Sequence, residues 1–155
     1  MSVKNVISKQ YQDKVNHAAA KIRGVSVPPE GWLCTARKAL GMSAAQLARR
    51  LGVTRAQVSK TEKGELAGSV TIKTLQTMSE RMGYRLVYAI VPEQKVEDIL
   101  AARAKQRAKR TVEETHKHMA LEEQALSDKQ IGFEIERLRQ ELLKNMPSDF
   151  WDDNG

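Results

Sequence analysis

Apolar positions recur mostly at helical spacing along this chain, so the pattern predicts a mainly α-helical protein. The first stripe has spacings of four, four, three and four residues and predicts a helix over residues 3–23, docked on the core or on a second copy of the chain. Two prolines and two glycines in residues 24–31 then end this element and prepare the start of another. The stripe consists of Ile7, Tyr11, Val15, Ala18 and Ile22.

Four short helices are predicted between residues 32 and 83. The first spans residues 32–40, and Ser43, Thr54 and Thr71 are suited to cap the N-termini of the next three, which begin at residues 44, 55 and 72. The expected ends of these three helices are marked by Gly52, Gly64 and Gly83.

Residues 84–91 are the only segment whose composition favours a β-strand, because β-branched and aromatic residues fill it and Pro92 ends it. One strand alone leaves its backbone donors and acceptors without partners. We therefore expect it to pair with the same segment of a second copy about a two-fold axis, although a different protein could supply the second strand. The residues expected at this dimer interface are Tyr84, Leu86, Val87, Tyr88 and Ile90.

The remainder is predicted to be helical, with one long charged helix over residues 93–126 and a last helix that Ser127 caps. An acidic tail, residues 147–155, contains Phe150 and Trp151. The chain is thus expected to comprise an N-terminal helix (1–27), a central domain ending in the strand (28–92) and a C-terminal helical extension (93–155).

The charge is divided unevenly between these parts. Residues 1–92 hold 15 Lys and Arg against five Asp and Glu, whereas residues 93–155 hold 11 against 14. The first part is therefore expected to face a polyanion, and the second to contact protein. A basic run at residues 103–110 is interpreted as a solvated helix face that pairs with nearby glutamates (Glu97, Glu113 and Glu114); an arm for nucleic acid is the alternative.

Residues 43–64 carry the pattern of a helix-turn-helix. Ala48 is small where two helix axes approach, Gly52 tolerates the positive φ of the turn, and Val58 supplies an apolar wedge on the second helix. An ordinary helical hairpin with a solvated polar face is the alternative, but two capped helices and a basic surface favour DNA binding.

Helical rotation places one polar face of the second helix outward, where Arg, Lys and Gln can bind base edges and Ala can contact a thymine methyl. The start of the preceding helix is better placed for phosphates. The predicted DNA-binding residues are Ser43, Gln46, Thr54, Arg55, Ala56, Gln57, Ser59, Lys60 and Lys63.

At these positions the chain resembles the phage-repressor (Xre/Cro) helix-turn-helix family over residues 32–83, although it departs from the family pattern at Ala44 and Thr61. A resemblance that runs through nearly the whole chain is to the mobile mystery protein A family. It rests on PPEGWLCTARKALGMSAAQLARRLGV, TIKTLQTM, RLVYAIVP, HKHMALEEQALSD and SDFWD. This resemblance implies a bacterial regulator or antitoxin paired with a Fic-domain protein.

Other chemistry finds little support in the sequence. Cys34 is the only cysteine and is expected to be a small buried residue, while His116 and His118 lie too far apart around a helix to hold one metal. No catalytic or cofactor-binding motif and no membrane-spanning run occurs, so we expect a cytoplasmic non-enzyme without cofactor or metal. The expected function is a dimeric transcriptional repressor on a palindromic operator, most simply its own promoter. A protein-inhibiting antitoxin that binds a Fic toxin through residues 93–155 is the alternative.

Overall fold

The computed structural model describes residues 2–121 and 127–153, which form seven helices. They divide into two compact units. The first contains the N-terminal 21 residues together with residues 90–155, and the second contains residues 22–89. The central unit is therefore a continuous piece of chain, whereas the other unit is assembled from both ends.

The central unit consists of four helices, α2 (Trp32–Ala39), α3 (Ala44–Leu51), α4 (Arg55–Ala67) and α5 (Ile72–Arg81). The three predicted caps are confirmed, because the hydroxyls of Ser43, Thr54 and Thr71 each accept a hydrogen bond from the backbone N–H three residues later. The core of this unit is formed by Leu33, Leu47, Ala48, Val58, Met78 and Met82.

The predicted end of α4 at Gly64 is wrong. The helix continues to Ala67 and ends at Gly68, whose φ of 73° is left-handed. Gly64 is buried inside the helix, and a Cβ placed on it would lie 2.8 Å from Val70 Cγ1 and 3.1 Å from Ser69 Oγ. Glycine is needed here for close packing of the following loop and not for a turn, a requirement that local sequence does not reveal.

The predicted β-strand is not found in the described part of the single chain. Within residues 2–121 and 127–153 no strand is present, and residues 84–92 carry neither helix nor strand. A strand requires a second strand to pair its backbone groups, and no other described part of the chain supplies one. The start of the segment is held by Tyr84, which donates from its N–H to Ser79 O (2.8 Å) and from its hydroxyl to Ala36 O (3.1 Å).

The other unit contains α1 (Val3–Ile22) except for its last residue, together with α6 (Val96–Leu121) and α7 (Asp128–Lys144). The prediction that α6 extends to residue 126 concerns positions beyond 121 that lie outside the described residues. Ser127 and Gln130 form the predicted cap of α7 as a reciprocal capping box. The buried apolar positions in the described part of α6 are small or branched: Ala104, Ala108 and Val112.

Side-chain hydrogen bonds join α1 to the beginning of α6. Asn16 Oδ1 accepts from the Val96 N–H (3.1 Å), and Asn16 Nδ2 donates to Glu97 Oε2 (3.1 Å). Of the predicted α1 stripe, Val15, Ala18 and Ile22 are half-buried, whereas Ile7 and Tyr11 are exposed. Docking of α1 therefore involves its C-terminal half.

The acidic tail folds back onto α6. Arg103 is buried and donates from Nε to Phe150 O (2.8 Å) and from Nη2 to Asp152 O (2.7 Å), while Arg107 Nη2 lies 3.3 Å from Asp149 Oδ2. Phe150 is fully buried. The interpretation of residues 103–110 as a solvated face pairing with neighbouring glutamates is wrong for Arg103 and Arg107, because the tail groups that they bind lie more than 40 residues away.

Candidate nucleic-acid interface

The turn between α3 and α4 is built as its sequence predicts. Gly52 has φ 69° and ψ 31°, a left-handed conformation, and the Val53 N–H that follows donates to Ala48 O at 3.0 Å. Leu47, Ala48 and Val58 are buried where the two helices meet. A tight turn, closed by this hydrogen bond and packed by these side chains, therefore fixes the direction of α4 relative to α3.

The N-terminus of α3 is closed by a capping box. Ser43 Oγ accepts from the Gln46 N–H (3.1 Å), and Gln46 Oε1 accepts from the Ser43 N–H (2.7 Å). Both residues are exposed at this helix end. Because the box uses the amide oxygen of Gln46, its NH2 group is the part that can reach an anion.

Helix α4 turns one face inward and the opposite face to solvent. Val58 and Thr61 are buried at relative exposures of 1% and 7%. Ser59 is half-buried, so it lies at the edge of the outer face. The other predicted DNA-binding residues of this region are exposed: Thr54, Arg55, Ala56, Gln57, Lys60 and Lys63.

Two glutamates tie α4 to α2. Glu62 forms a two-pronged ion pair with Arg37, with Nε–Oε1 at 2.7 Å and Nη2–Oε2 at 3.2 Å, and Arg37 Nη1 also donates to Met42 O. Glu65 accepts from the backbone N–H groups of Trp32 (2.6 Å) and Leu33 (2.8 Å) and so caps α2. These contacts anchor the inner side of α4 while its outer side remains open.

The electrostatics of the central unit follow from these contacts. Residues 22–89 contain 11 Lys and Arg but only four Asp and Glu. Glu62 and Glu65 are engaged with α2, and Glu30 pairs with Lys38. Since three of the four carboxylates are held in the unit, the outer face of α3 and α4 is positively charged.

Gln57 is held by threonines one turn away on either side. Its backbone N–H donates to Thr54 Oγ1 (3.1 Å), Thr61 Oγ1 donates to its carbonyl oxygen (2.8 Å), and its side-chain Nε2 donates to Thr61 Oγ1 (3.4 Å). The side chain lines a groove of about 330 Å³ between α4 and α5, whose other polar lining residues are Thr61, Lys73, Thr74 and Thr77.

Most of the residues predicted for a dimer interface are exposed to solvent. Val87, Tyr88 and Ile90 are exposed by 69%, 70% and 89%. Tyr84 is 39% exposed although its hydroxyl donates to Ala36 O, and Leu86 is half-buried. The segment therefore presents an apolar surface without helix or strand structure.

Two other kinds of group could carry chemistry: the thiol of Cys34 and clusters of possible metal ligands. Cys34 is half-buried, and burial together with a hydrogen bond to Glu30 raises the pKa of its thiol. Among the described residues there is no group of three or more His, Cys, Asp or Glu that could hold a metal ion. None of the helices in residues 2–121 and 127–153 is long and apolar enough to cross a membrane.

Sequence reasoning missed the residues that hold the inner side of α4 against α2. Arg37, Glu62 and Glu65 act across 25 to 33 residues of sequence, so no local pattern links them. Thr61, a departure from the family pattern, was expected to point inward and is buried, but its contact with Gln57 was not predicted. One signal for this ion pair was available in the sequence. Glu62 lies next to Thr61 on the inward-facing side of the helix, and a buried carboxylate needs a charged or hydrogen-bonding partner.

Residues 35–88 match the helix-turn-helix family model. No curated protein and no solved structure matches the chain. The match covers α3, α4 and α5, most of α2, and the beginning of the segment after α5. The chain therefore contains an Xre-type helix-turn-helix domain, the DNA-binding domain of a class of transcriptional regulators.

Proposed function

We propose that the chain is a sequence-specific transcriptional repressor that binds a palindromic operator as a homodimer, its own promoter being the simplest target. The observation that carries the proposal is the outer face of α4, which exposes Arg55, Gln57 and Lys60 at the start of a helix fixed by a tight turn. Such a helix fits the major groove, where these side chains have the donors and acceptors to recognise bases.

The direct test is binding of the full chain to its upstream DNA. With roughly six to ten phosphate contacts for a dimer, affinity should fall about 10³- to 10⁵-fold between 50 and 200 mM salt. Arg55→Ala and Lys60→Ala should each weaken binding by about 1–3 kcal/mol if these residues contact bases. Lys21→Ala, an exposed cation outside the helix-turn-helix, is the matched control. The face of α4 that carries Arg55, Gln57 and Lys60 is called the reading face. Wild-type binding by both variants would contradict its assignment to DNA contact.

The homodimer is supported by the exposed apolar segment that follows α5. Burying Val87, Tyr88 and Ile90 against a second copy would remove apolar surface from water. It would leave α4 of both copies available to bind DNA. A two-fold dimer would set the two helices about one DNA turn apart, roughly 34–36 Å, as a palindrome requires.

Light scattering tests the dimer. Val87→Asp and Ile90→Asp should convert a dimer to a monomer, whereas Val25→Asp, at another exposed apolar position of the central unit, should not. A monomeric wild type, or a dimer that both Asp variants leave intact, would contradict self-association through this segment.

The second candidate function is that of an antitoxin that binds a Fic-domain protein through the unit containing residues 93–155. Its support is the resemblance to mobile mystery protein A and the acidic balance of this region, 11 Lys and Arg against 14 Asp and Glu. Phe133 is 71% exposed on α7 and is a suitable probe of the surface.

Co-purification with a Fic protein encoded beside this chain tests the second function. Phe133→Asp should weaken the complex and leave DNA binding unchanged, while Lys60→Ala should do the reverse. Failure of the two proteins to co-purify would leave repression as the function and remove the antitoxin role.

A further inference from the structure

The buried hydroxyl of Thr61 lies directly behind an exposed residue of the reading face. Thr61 is 7% exposed, yet its side chain contacts Gln57, one turn earlier on the same helix, whose side chain is open to solvent. Two hydrogen bonds join them, Thr61 Oγ1 to Gln57 O at 2.8 Å and Gln57 Nε2 to Thr61 Oγ1 at 3.4 Å.

The direction of these bonds follows from the number of protons available. A hydroxyl has one proton, and that of Thr61 is donated to the carbonyl oxygen of Gln57. Thr61 Oγ1 can then only accept from the Gln57 side chain, so the NH2 group and not the amide oxygen must face it. This hydrogen bond therefore favours one orientation of the Gln57 amide over the other.

A glutamine held in this way offers one N–H and its oxygen to a ligand. Adenine presents the complementary pair in the major groove, because N7 accepts and the N6 amino group donates. We propose that Thr61 is a positioning residue that orients Gln57 for adenine and so determines specificity at one operator position. This inference rests on the proposed function of operator binding.

The same orientation disfavours guanine. The major-groove edge of guanine carries two acceptors, N7 and O6, so one of them would face the Gln57 oxygen without a proton between them. A glutamine that rotates freely could turn its NH2 group toward guanine instead. The hydroxyl of Thr61 removes part of that freedom and therefore raises discrimination between the two purines.

Selection from randomised duplex DNA with the full-length protein tests the inference. The wild type should enrich one adenine in each half-site, and Gln57→Ala should lose the preference at that position alone. Thr61→Val, which keeps the shape but not the hydroxyl, should reduce the adenine-over-guanine ratio there by a factor within the range of about 5- to 150-fold that one bidentate pair supplies. Thr61→Ser, which restores the hydroxyl, should recover most of it.

A second measurement uses only the wild-type protein, so it does not depend on whether a variant folds. Replacing the selected adenine by 7-deazaadenine removes the N7 acceptor and should weaken binding at that position. Equal purine discrimination by wild type and Thr61→Val, or indifference to 7-deazaadenine, would overturn the inference while operator binding stands. Enrichment of no sequence by the wild type would instead overturn the proposed function and the inference with it.

Discussion

Arg37 of α2 and Glu62 of α4 form an ion pair whose side chains are only 11% and 10% exposed. Donation of its N–H groups to Glu62 raises the pKa of the Arg37 guanidinium, which stays charged at all accessible pH. A pair that is withdrawn from water depends on both members, because removal of either one leaves the other charge buried alone.

We expect Arg37→Met to destabilise the central unit by about 3–5 kcal/mol and the double variant with Glu62→Leu to recover part of the loss. Trp32 and Trp151 are the two tryptophans and lie in different units, so a Trp151→Phe background makes Trp32 fluorescence a reporter of this unit. Urea unfolding gives the free energies. Losses that simply add in the double variant would show that the two side chains do not act as a pair.

Two helical glycines should respond oppositely to alanine. Gly64→Ala in α4 places a Cβ 2.8 Å from Val70 Cγ1 and should destabilise by about 1–3 kcal/mol. Gly132→Ala in α7 meets nothing within 4 Å and should stabilise by about 0.5–1 kcal/mol through helix propensity. Thermal unfolding followed at the tryptophan of each unit checks both, and stabilisation by Gly64→Ala would contradict the close approach of the Val70 loop.

The tail should contribute to the stability of its unit through Phe150. Phe150→Ala removes a side chain that is 1% exposed and should cost about 3–5 kcal/mol. Tyr11→Ala is the matched control, because this aromatic of α1 is 66% exposed and its removal should change stability by less than about 0.5 kcal/mol. Trp151 fluorescence in a Trp32→Phe background follows the unfolding. Equal effects of the two changes would mean that the tail does not pack on α6.

The junction of α1 and α6 should respond to acid through Glu97. Its pKa is lowered from 4.5 chiefly because its own backbone N–H, at the start of α6, donates to it, and Asn16 and Lys9 add to this. The stabilisation is therefore complete above the unfolded pKa and is lost as pH falls through the lower folded pKa. NMR signals of the Asn16 side chain should titrate with a midpoint below 4.5. In Glu97→Gln this titration should disappear, and a midpoint at or above 4.5 in the wild type would contradict the contact.

Local chemistry made the helix starts predictable, whereas contacts distant in sequence did not. Ser43, Thr54 and Ser127 cap their helices because a side-chain oxygen and an N–H three residues later suffice. The role of Gly64 is not visible in local sequence, because it depends on a loop that packs against it. The docking of the tail on Arg103 joins residues 47 apart through backbone carbonyls, which any sequence would provide.

The reading face was accessible from sequence because helical rotation fixes which side of α4 is inward once Val58 is placed. The conformation of residues 84–92 was not predictable in the same way. Their β-branched and aromatic composition favours strand pairing, but composition does not show whether a second strand is present. The role of Thr61 required atomic distances, because the sequence alone does not reveal which group its hydroxyl bonds.

The division of one unit between both ends of the chain imposes an order on its synthesis. Asn16 leaves the ribosome 81 residues before Glu97, which at 5–20 residues per second is an interval of about 4–16 s. The helix-turn-helix, being continuous, can fold during that time, while α1 waits for its partner helix. In newly made chains the helix-turn-helix is therefore complete before α1 can dock on α6.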